Sequence, residues 1–174
     1  KWFRGVYFVS SGTGFVVGYG GAILKTTNGG INWRYQRSGT ADTLYSVYFT
    51  SAQTGYAVGG GKKNYIILKT TNGGINWTTQ ASGKDNLLKS VYFSDNNIGY
   101  AVGGSKKSSL ILKTTDGGTN WIIQKSAAAK LMQSVCFIDF NNGYIVGDNG
   151  TVLKTSNGGT NWTNQTSGVT GYLN

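Results

Sequence analysis

The side chains that could do chemistry in this chain of 174 residues are few. The sequence contains neither histidine nor glutamate, so acid–base chemistry would depend on its six aspartates. The single cysteine, Cys136, has no histidine to activate it as a nucleophile, and one cysteine makes neither an internal disulfide nor a metal cluster. Sixteen lysines and arginines give a net charge of +10, which favours an anionic partner. The composition therefore indicates binding and not catalysis.

Two lysine pairs are the strongest candidates for contact with an anion. They are Lys62 with Lys63 and Lys106 with Lys107, which occupy equivalent places in a repeated sequence, and Lys84 lies between them along the chain. These lysines are our candidates for one positive surface that binds a protein or an acidic glycan. The interpretation that we prefer is that they are solvated charges that keep loop tips soluble.

The elements that would position these residues follow from an internal repeat. The string LKTTNGGINW occupies residues 24–33 and recurs unchanged at residues 68–77. Edited copies occupy residues 112–121 and 153–162, so the period is 41–44 residues. Self-similarity at a period of this size is typical of a repeat architecture.

Each repeat contains four short stretches with strand character. In the second repeat they are Leu44–Thr50, Gly55–Gly59, Tyr65–Thr71 and Asn76–Ala81, which are rich in β-branched and aromatic residues. No segment of about ten residues has helical periodicity with caps. Four antiparallel strands in a unit of about 40–45 residues make one blade of a β-propeller. We therefore predict an all-β fold, a β-propeller built of four-stranded antiparallel blades.

The predicted blades cover residues 1–39, 40–83, 84–127 and 128–168, all within one propeller region. Residues 169–174 match the start of a further inner strand. This pattern favours an open arc that belongs to a larger propeller or that associates to cover its end blades. A closed four-bladed ring is the alternative, because propellers with about 4–8 blades occur.

A tighter pattern lies within every repeated string: Thr-x-Asn-x-Gly-x-x-Trp, with Asp in place of Asn once. It resembles the Asp-box (BNR repeat) of sialidases, sortilin-type receptors and xyloglucanases. Together with the flanking SVYF and GYAVG strings, it is most similar to the propeller repeats of photosystem II assembly factors. The residue types indicate a structural turn, because Asn and Gly suit a hairpin and Trp can fill the gap between sheets. The four boxes are Thr26, Asn28, Gly30 and Trp33; Thr70, Asn72, Gly74 and Trp77; Thr114, Asp116, Gly118 and Trp121; and Thr155, Asn157, Gly159 and Trp162.

The resemblance implies a non-catalytic propeller that holds a segment of another protein. Three of the four boxes carry a neutral amide, which is a poor ligand for a hard cation, so we predict no metal there, and we predict no cofactor. Binding of nucleic acid is supported by the positive charge alone, because the sequence contains no recognised nucleic-acid-binding motif. No apolar run approaches the length of a membrane span.

Some proteins with this box are hydrolases, so a glycosidase is an alternative. A glycoside hydrolase needs two carboxyl groups about 5–10 Å apart. Asp42 and Asp85 are predicted on neighbouring connections at one face and are the one pair worth testing. A sialidase-like site needs arginines from different blades and a glutamate, whereas Arg4, Arg34 and Arg37 all lie in the first unit.

The preferred interpretation is a binding or scaffold module of a secreted or cell-surface bacterial protein. A periplasmic location and a purely structural repeat domain are the alternatives. Function is expected on the face that carries the longer segments, such as residues 60–64, 104–109, 82–86 and 126–130.

One lysine recurs on the third strand of every blade. We expect its stem to lie along the sheet and its ammonium group to lie in water. These residues are Lys25, Lys69, Lys113 and Lys154.

Overall fold

The computed structural model describes residues 2–61, 64–124 and 130–169. These residues form sixteen β-strands and one short 3-10 turn at Tyr19–Gly21. No helix within these ranges is long and apolar enough to cross a membrane. The strands are β1 (Phe3–Phe8), β2 (Gly14–Gly18), β3 (Ile23–Thr26), β4 (Arg34–Gln36), β5 (Thr43–Phe49), β6 (Gly55–Gly60), β7 (Asn64–Thr70), β8 (Thr78–Lys84), β9 (Leu87–Phe93), β10 (Gly99–Ser105), β11 (Ser108–Thr114), β12 (Ile122–Ile123), β13 (Met132–Phe137), β14 (Gly143–Gly147), β15 (Thr151–Thr155) and β16 (Thr163–Gln165).

The strands form four antiparallel sheets of four strands, one for each repeat. Each sheet is a meander in chain order: β1–β4, β5–β8, β9–β12 and β13–β16. The first strand of each sheet contacts the first strand of the next, in the order β1, β5, β9 and β13. These four strands are therefore innermost, and the sheets are consecutive blades around a common axis. The fold is the predicted β-propeller of four-stranded antiparallel blades.

A hydrophobic core fills each gap between consecutive blades. Between the second and third blades, the Tyr56 ring stacks on Phe93 with ring centroids 4.0 Å apart. The box tryptophan Trp121 meets Phe93 edge to face, with centroids 5.9 Å apart. Burial of one large apolar side chain contributes about 1.5–3 kcal/mol, so these stacked rings explain why the aromatic positions recur with the blades. Equivalent stacks join Phe15 to Phe49 and Tyr100 to Phe137.

The first and fourth blades form no such core with each other in the described part of the chain. Val6 is 63% exposed and Phe8 is 44% exposed, whereas the equivalent Val47 and Phe49 of the second blade are 5% and 3% exposed. At the other end, Ile138 of the fourth blade is also exposed. Over the described residues the blades therefore form an open arc, as predicted, and not the alternative closed four-bladed ring.

Hydrogen bonds across the gaps join each blade to the next. Lys25, Lys69 and Lys113 donate from Nζ to a box glycine carbonyl of the following blade, at distances of 2.7, 2.6 and 2.5 Å. The expectation that these ammonium groups lie in water is therefore wrong. Each stem passes an aromatic ring of its own blade, but the next blade presents a carbonyl acceptor where the stem ends. The acceptors are Gly73, Gly117 and Gly158.

The segments predicted to be long loops are largely strand. In the third blade, β10 extends to Ser105 and β11 begins at Ser108, so the predicted loop 104–109 is reduced to a two-residue turn. Gly104 permits this extension because its φ of 133° is readily adopted by glycine. The paired backbone groups then gain ladder hydrogen bonds that an open loop would lack.

The predicted connection 82–86 is shortened in the same way. Residues 82–84 belong to β8, and β9 begins at Leu87. Lys62 and Lys63, and most of the predicted segments 126–130 and 169–174, lie outside the described residues.

Candidate functional site

Each Asp-box is a hydrogen-bonded turn between the third and fourth strands of its blade. In the second blade, the Thr70 hydroxyl donates to Asn72 Oδ1 at 3.0 Å and accepts from the Gly74 N–H at 2.9 Å. Asn72 Oδ1 also accepts from the Asn76 N–H at 2.9 Å. The other three boxes repeat this pattern. The threonine and Asn or Asp oxygens are thus used inside the turn, which supports a structural role.

The boxes also fix the face of the propeller on which they lie. The Gly73 N–H donates to the Gln53 carbonyl in the turn between β5 and β6, at 2.9 Å. On the opposite face, Asn64 Nδ2 donates to Asp42 Oδ2 at 2.6 Å, which ties the β6–β7 hairpin to the connection before β5. The boxes therefore share a face with the first hairpin of each blade.

Asp116 is the only acid among the four boxes. The backbone N–H of Asn120, then its side-chain amide, then the Thr114 hydroxyl hold the pKa of Asp116 at about 2. The carboxylate is thus stabilised as an anion by donors of its own turn.

The described lysines of the predicted positive surface are exposed. Lys106 and Lys107 form the turn between β10 and β11, and Lys84 lies at the end of β8. The partner-binding surface that combines them with Lys62 and Lys63 stays a prediction, because that second pair lies outside the described residues.

A β-bulge interrupts the inner strand of every blade at the same position. In the second blade the register against β6 shifts between Leu44 and Ser46, so Tyr45 is the extra residue. A bulge re-aims the side chain of its extra residue, and bulges are frequent beside functional sites. The extra residues of the four blades are Arg4, Tyr45, Lys89 and Gln133, which we call the inner-strand cluster.

A cation and an aromatic ring meet within the inner-strand cluster. The Lys89 ammonium lies 3.7 Å from the centre of the Tyr45 ring, across the gap between the second and third blades. Arg4 donates to the Tyr19 hydroxyl at 2.8 Å, and its guanidinium carbon lies 5.0 Å from the centre of the same ring. Both cations are thus held in place by tyrosines.

Charges from the first and fourth blades influence the pKa of Lys89 in the third blade. Burial lowers the pKa of Lys89, and the Arg4 guanidinium lowers it further, whereas Asp148 raises it. Gln133 Nε2 donates to Asp148 Oδ1 at 2.8 Å, which places that carboxylate beside the cluster. Residues of the first, third and fourth blades therefore act on one another at the inner strands.

This arrangement is suited to binding an anion. Two cations that repel each other gain when a carboxylate lies between them, and charge-assisted hydrogen bonds to Arg and Lys are stronger than neutral ones. Partial burial of Lys89 reduces the screening by water, which strengthens the attraction.

Sequence reasoning missed the inner-strand cluster. Its signal is a position that differs in every copy of a repeat: Arg, Tyr, Lys and Gln stand in turn before the recurring Ser/Gly-Val string. A bulge cannot be read from strand alternation, so the four side chains could not be assigned to one place.

The two aspartates of the glycosidase alternative have different environments. Asp42 is tied into its connection by Asn64 and by the Thr40 hydroxyl, which lies 3.5 Å from Asp42 Oδ2. Asp85 is exposed in the turn between β8 and β9, with a φ of 65°. The hydrogen bonds of Asp42 are those of a loop-fixing residue.

Fold and boxes together define a propeller of Asp-box repeats. The family model of the photosynthesis system II assembly factor YCF48 matches the chain at residues 2–80 and 31–131. The chain belongs to this family. No curated protein sequence matches it significantly.

Several solved structures share the fold. One is YCF48 bound to D1 peptide, with a TM-score of 0.62, 15% identity, and coverage of 94% of this chain and 81% of that one. YCF48 from Cyanidioschyzon merolae has a TM-score of 0.69 and 20% identity, over 94% of this chain and 55% of that one. The GH74 enzyme of Niastella koreensis has a TM-score of 0.76 and 20% identity, over 95% of this chain and 30% of that one. The chain thus spans about half of the second structure and under a third of the third, and at these identities the likeness shows the fold alone.

Proposed function

We propose that this chain is a non-catalytic propeller that binds an acidic segment of another protein at the inner-strand cluster. The observation that carries this proposal is the placement of Lys89, which lies 3.7 Å over the Tyr45 ring and within electrostatic reach of Arg4. Membership of the YCF48 family supports it, since one solved YCF48 structure is bound to D1 peptide.

The order of side chains suits an extended ligand. A segment that crosses the inner strands from the first blade to the fourth meets a guanidinium, a phenol ring, an ammonium group and an amide. Carboxylates of the segment pair with Arg4 and Lys89, its apolar atoms pack on Tyr45, and Gln133 can hydrogen-bond its backbone.

Other readings have less support. A glycosidase would use Asp42, which is already tied into its loop. Binding of an acidic glycan or nucleic acid, a secreted or cell-surface location, and binding through Lys84, Lys106 and Lys107 remain predictions without a comparable geometric observation.

The proposal is tested with a fluorescently labelled acidic peptide in an anisotropy titration. A peptide in which every Asp and Glu is replaced by Lys serves as the ligand control. Loss of one charge-assisted hydrogen bond costs about 1.5–3 kcal/mol, so Lys89→Gln is expected to weaken binding at least about tenfold. Lys106→Gln, which removes the same charge from an exposed turn, is the matched control and is expected to bind like the wild type. An acidic oligosaccharide added as competitor distinguishes a protein ligand from a glycan.

Equal losses for Lys89→Gln and Lys106→Gln would mean that net charge alone attracts the peptide, and an unchanged affinity in Lys89→Gln would contradict the proposed site.

A further inference from the structure

The arc exposes two end faces that are built like faces buried elsewhere in the molecule. On the first blade, Val6, Phe8, Gly29, Gly30 and Trp33 occupy the positions that meet the preceding blade in the other repeats; we call this the leading face. Gly29 and Gly30 are accessible, whereas Gly73 and Gly74, their equivalents in the second blade, are buried.

The opposite end carries the complementary face. On the fourth blade, Ser134, Cys136, Tyr144 and Lys154 occupy the positions that meet the following blade in the other repeats; we call this the trailing face. Cys136 and Ser134 are exposed, and Tyr144 and Lys154 are partly buried.

The internal gaps show how these two kinds of face join. Between the second and third blades, Tyr56 and Lys69 both donate to the Gly117 carbonyl, at 2.7 and 2.6 Å. The Ser46 hydroxyl accepts from the Val91 N–H at 3.4 Å. The gap between the third and fourth blades repeats all three bonds.

The end faces retain every group that these three bonds require, whereas the bond from the Tyr48 hydroxyl to the Phe93 carbonyl has no equivalent, because Cys136 occupies the tyrosine position in the fourth blade. Tyr144 and Lys154 occupy the positions equivalent to Tyr56 and Lys69. The Gly29 carbonyl is equivalent to the Gly117 carbonyl that accepts their hydrogen bonds. Ser134 occupies the position equivalent to Ser46, and the Val6 N–H is equivalent to the Val91 N–H that donates to it.

The shape of the leading face also fits. A Cβ at Gly118 would lie 2.8 Å from the Tyr56 ring of the preceding blade. The atoms nearest to a Cβ at Gly30 belong to its own Trp33, at 3.6 Å or more, and not to a tyrosine ring of another blade. The volume that the tyrosine ring fills in the internal gap is therefore open beside Gly30.

We propose that a second copy of this chain docks head to tail on the first, with the trailing face of one copy on the leading face of the other. The interface would reuse the internal blade contacts: Tyr144 and Lys154 donate to the Gly29 carbonyl, and Ser134 accepts from the Val6 N–H. Contacts of this kind are heterologous, so they form a closed ring or a longer assembly.

Sedimentation velocity of the chain over a range of concentrations tests the proposal, with wild type expected to form dimers or larger species. Val6→Asp buries an unpaired charge in the interface and is expected to weaken association at least about a hundredfold. Because Val6 is 63% exposed in a single arc, this variant is expected to fold, which circular dichroism verifies. Ile31→Asp is the matched control: Ile31 is 80% exposed, and its equivalent Ile75 stays 64% exposed between two blades, so this position lies outside the gap.

A second variant locates the contact. The rings of Tyr92 and Phe137 face each other across the gap between the third and fourth blades, with centroids 6.0 Å apart. Cys136 occupies the position of Tyr92 on the trailing face, and Phe8 occupies the position of Phe137 on the leading face. Phe8→Cys therefore places a thiol opposite Cys136 of another copy, and mild oxidation is expected to give covalent dimers on a non-reducing gel. Phe8→Cys combined with Cys136→Ser is the control and is expected to remain uncrosslinked.

A wild-type chain that is monomeric at every concentration overturns the proposal and leaves the end faces to another occupant. Association that Val6→Asp and Ile31→Asp reduce equally, or crosslinking that persists without Cys136, also overturns it.

Discussion

The ammonium group of Lys89 lies 3.7 Å from the centre of the Tyr45 ring, and the two residues belong to different blades. Each is the extra residue of a β-bulge, so the contact arises from an irregularity that the blades share. A cation so close to an aromatic face is attracted by the ring quadrupole. The contact holds a partly buried positive charge at the inner strands, where the Arg4 guanidinium also acts on it.

Binding of an acidic peptide is predicted to weaken as the pH rises towards the alkaline range. Burial and Arg4 hold the pKa of Lys89 below its ordinary value of 10.5, so this lysine loses its charge before an exposed lysine does. Deprotonation removes the attraction for a carboxylate, so affinity falls as the pH rises through the lowered pKa. The dissociation constant measured against pH checks this.

Lys89→Arg is the control for this pH dependence, because a guanidinium stays charged throughout the range. We expect its affinity to fall less steeply with pH than that of the wild type. An identical pH profile for both would assign the dependence to another group.

Phe15→Tyr is predicted to stabilise the arc. Phe15 stacks on Phe49 as Tyr56 stacks on Phe93, at centroid distances of 4.1 and 4.0 Å, but it lacks the hydroxyl that Tyr56 donates to the next box glycine. The new hydroxyl is expected to reach the Gly73 carbonyl and to add about 0.5–1.5 kcal/mol to the free energy of unfolding. Urea denaturation measures the change.

Tyr56→Phe is the reciprocal control and should lower the free energy of unfolding by a similar amount. Burial raises the pKa of Tyr56 to about 12, so its hydroxyl remains a donor at neutral pH. A destabilised Phe15→Tyr variant would show that the first gap does not admit the hydroxyl.

Lys25→Met is predicted to destabilise the arc more than Lys69→Met. In the described residues, Lys25 is the side-chain donor to the buried Gly73 carbonyl, whereas the Gly117 carbonyl keeps Tyr56 when Lys69 is removed. A buried acceptor left without a partner costs about 1–3 kcal/mol, so the first variant should lose that much and the second about 1 kcal/mol. Chemical denaturation of both variants, with Lys106→Met as the exposed control, tests the order; equal losses would contradict it.

Asp116 is predicted to keep its charge to about pH 2. The donors of its box lower its pKa from 3.8 to about 2 in the folded chain. Because the folded pKa is the lower one, its contribution to stability is present above about pH 3.8 and is lost as the pH falls through about 2. A carboxyl NMR titration gives the midpoint directly. Asp116→Asn retains the turn, because the other three boxes carry Asn, and the stability of this variant should change less with pH between about 3.8 and 2 than that of the wild type. An Asp116 midpoint near 3.8 would contradict the lowered pKa.

The sequence was sufficient to predict the fold, because the strand pattern and the turn residues of each repeat agree with each other. The hydrogen bonds of the box at Thr70–Trp77 lie within its own turn, which supports the structural role that its residue types indicated. The repeat pattern also favoured an open arc over a closed four-bladed ring.

The side-chain contacts between blades could not be predicted in the same way. The reach of Lys69 to the Gly117 carbonyl depends on where the next blade lies, which no pattern within one repeat specifies. The bulges that bring Lys89 to Tyr45 shift the register by one residue, and strand alternation assumes that no such shift occurs. The candidate site therefore depends on how neighbouring blades lie against each other, which the sequence pattern does not specify.

The most direct test of the proposed function is NMR mapping during titration with an unlabelled acidic peptide. The account predicts that signals of Arg4, Tyr45 and Lys89 shift together and saturate at one dissociation constant, while those of Lys106 and Lys107 stay in place. Shifts confined to Lys106 and Lys107, or no saturable shift at Arg4, Tyr45 and Lys89, would contradict it.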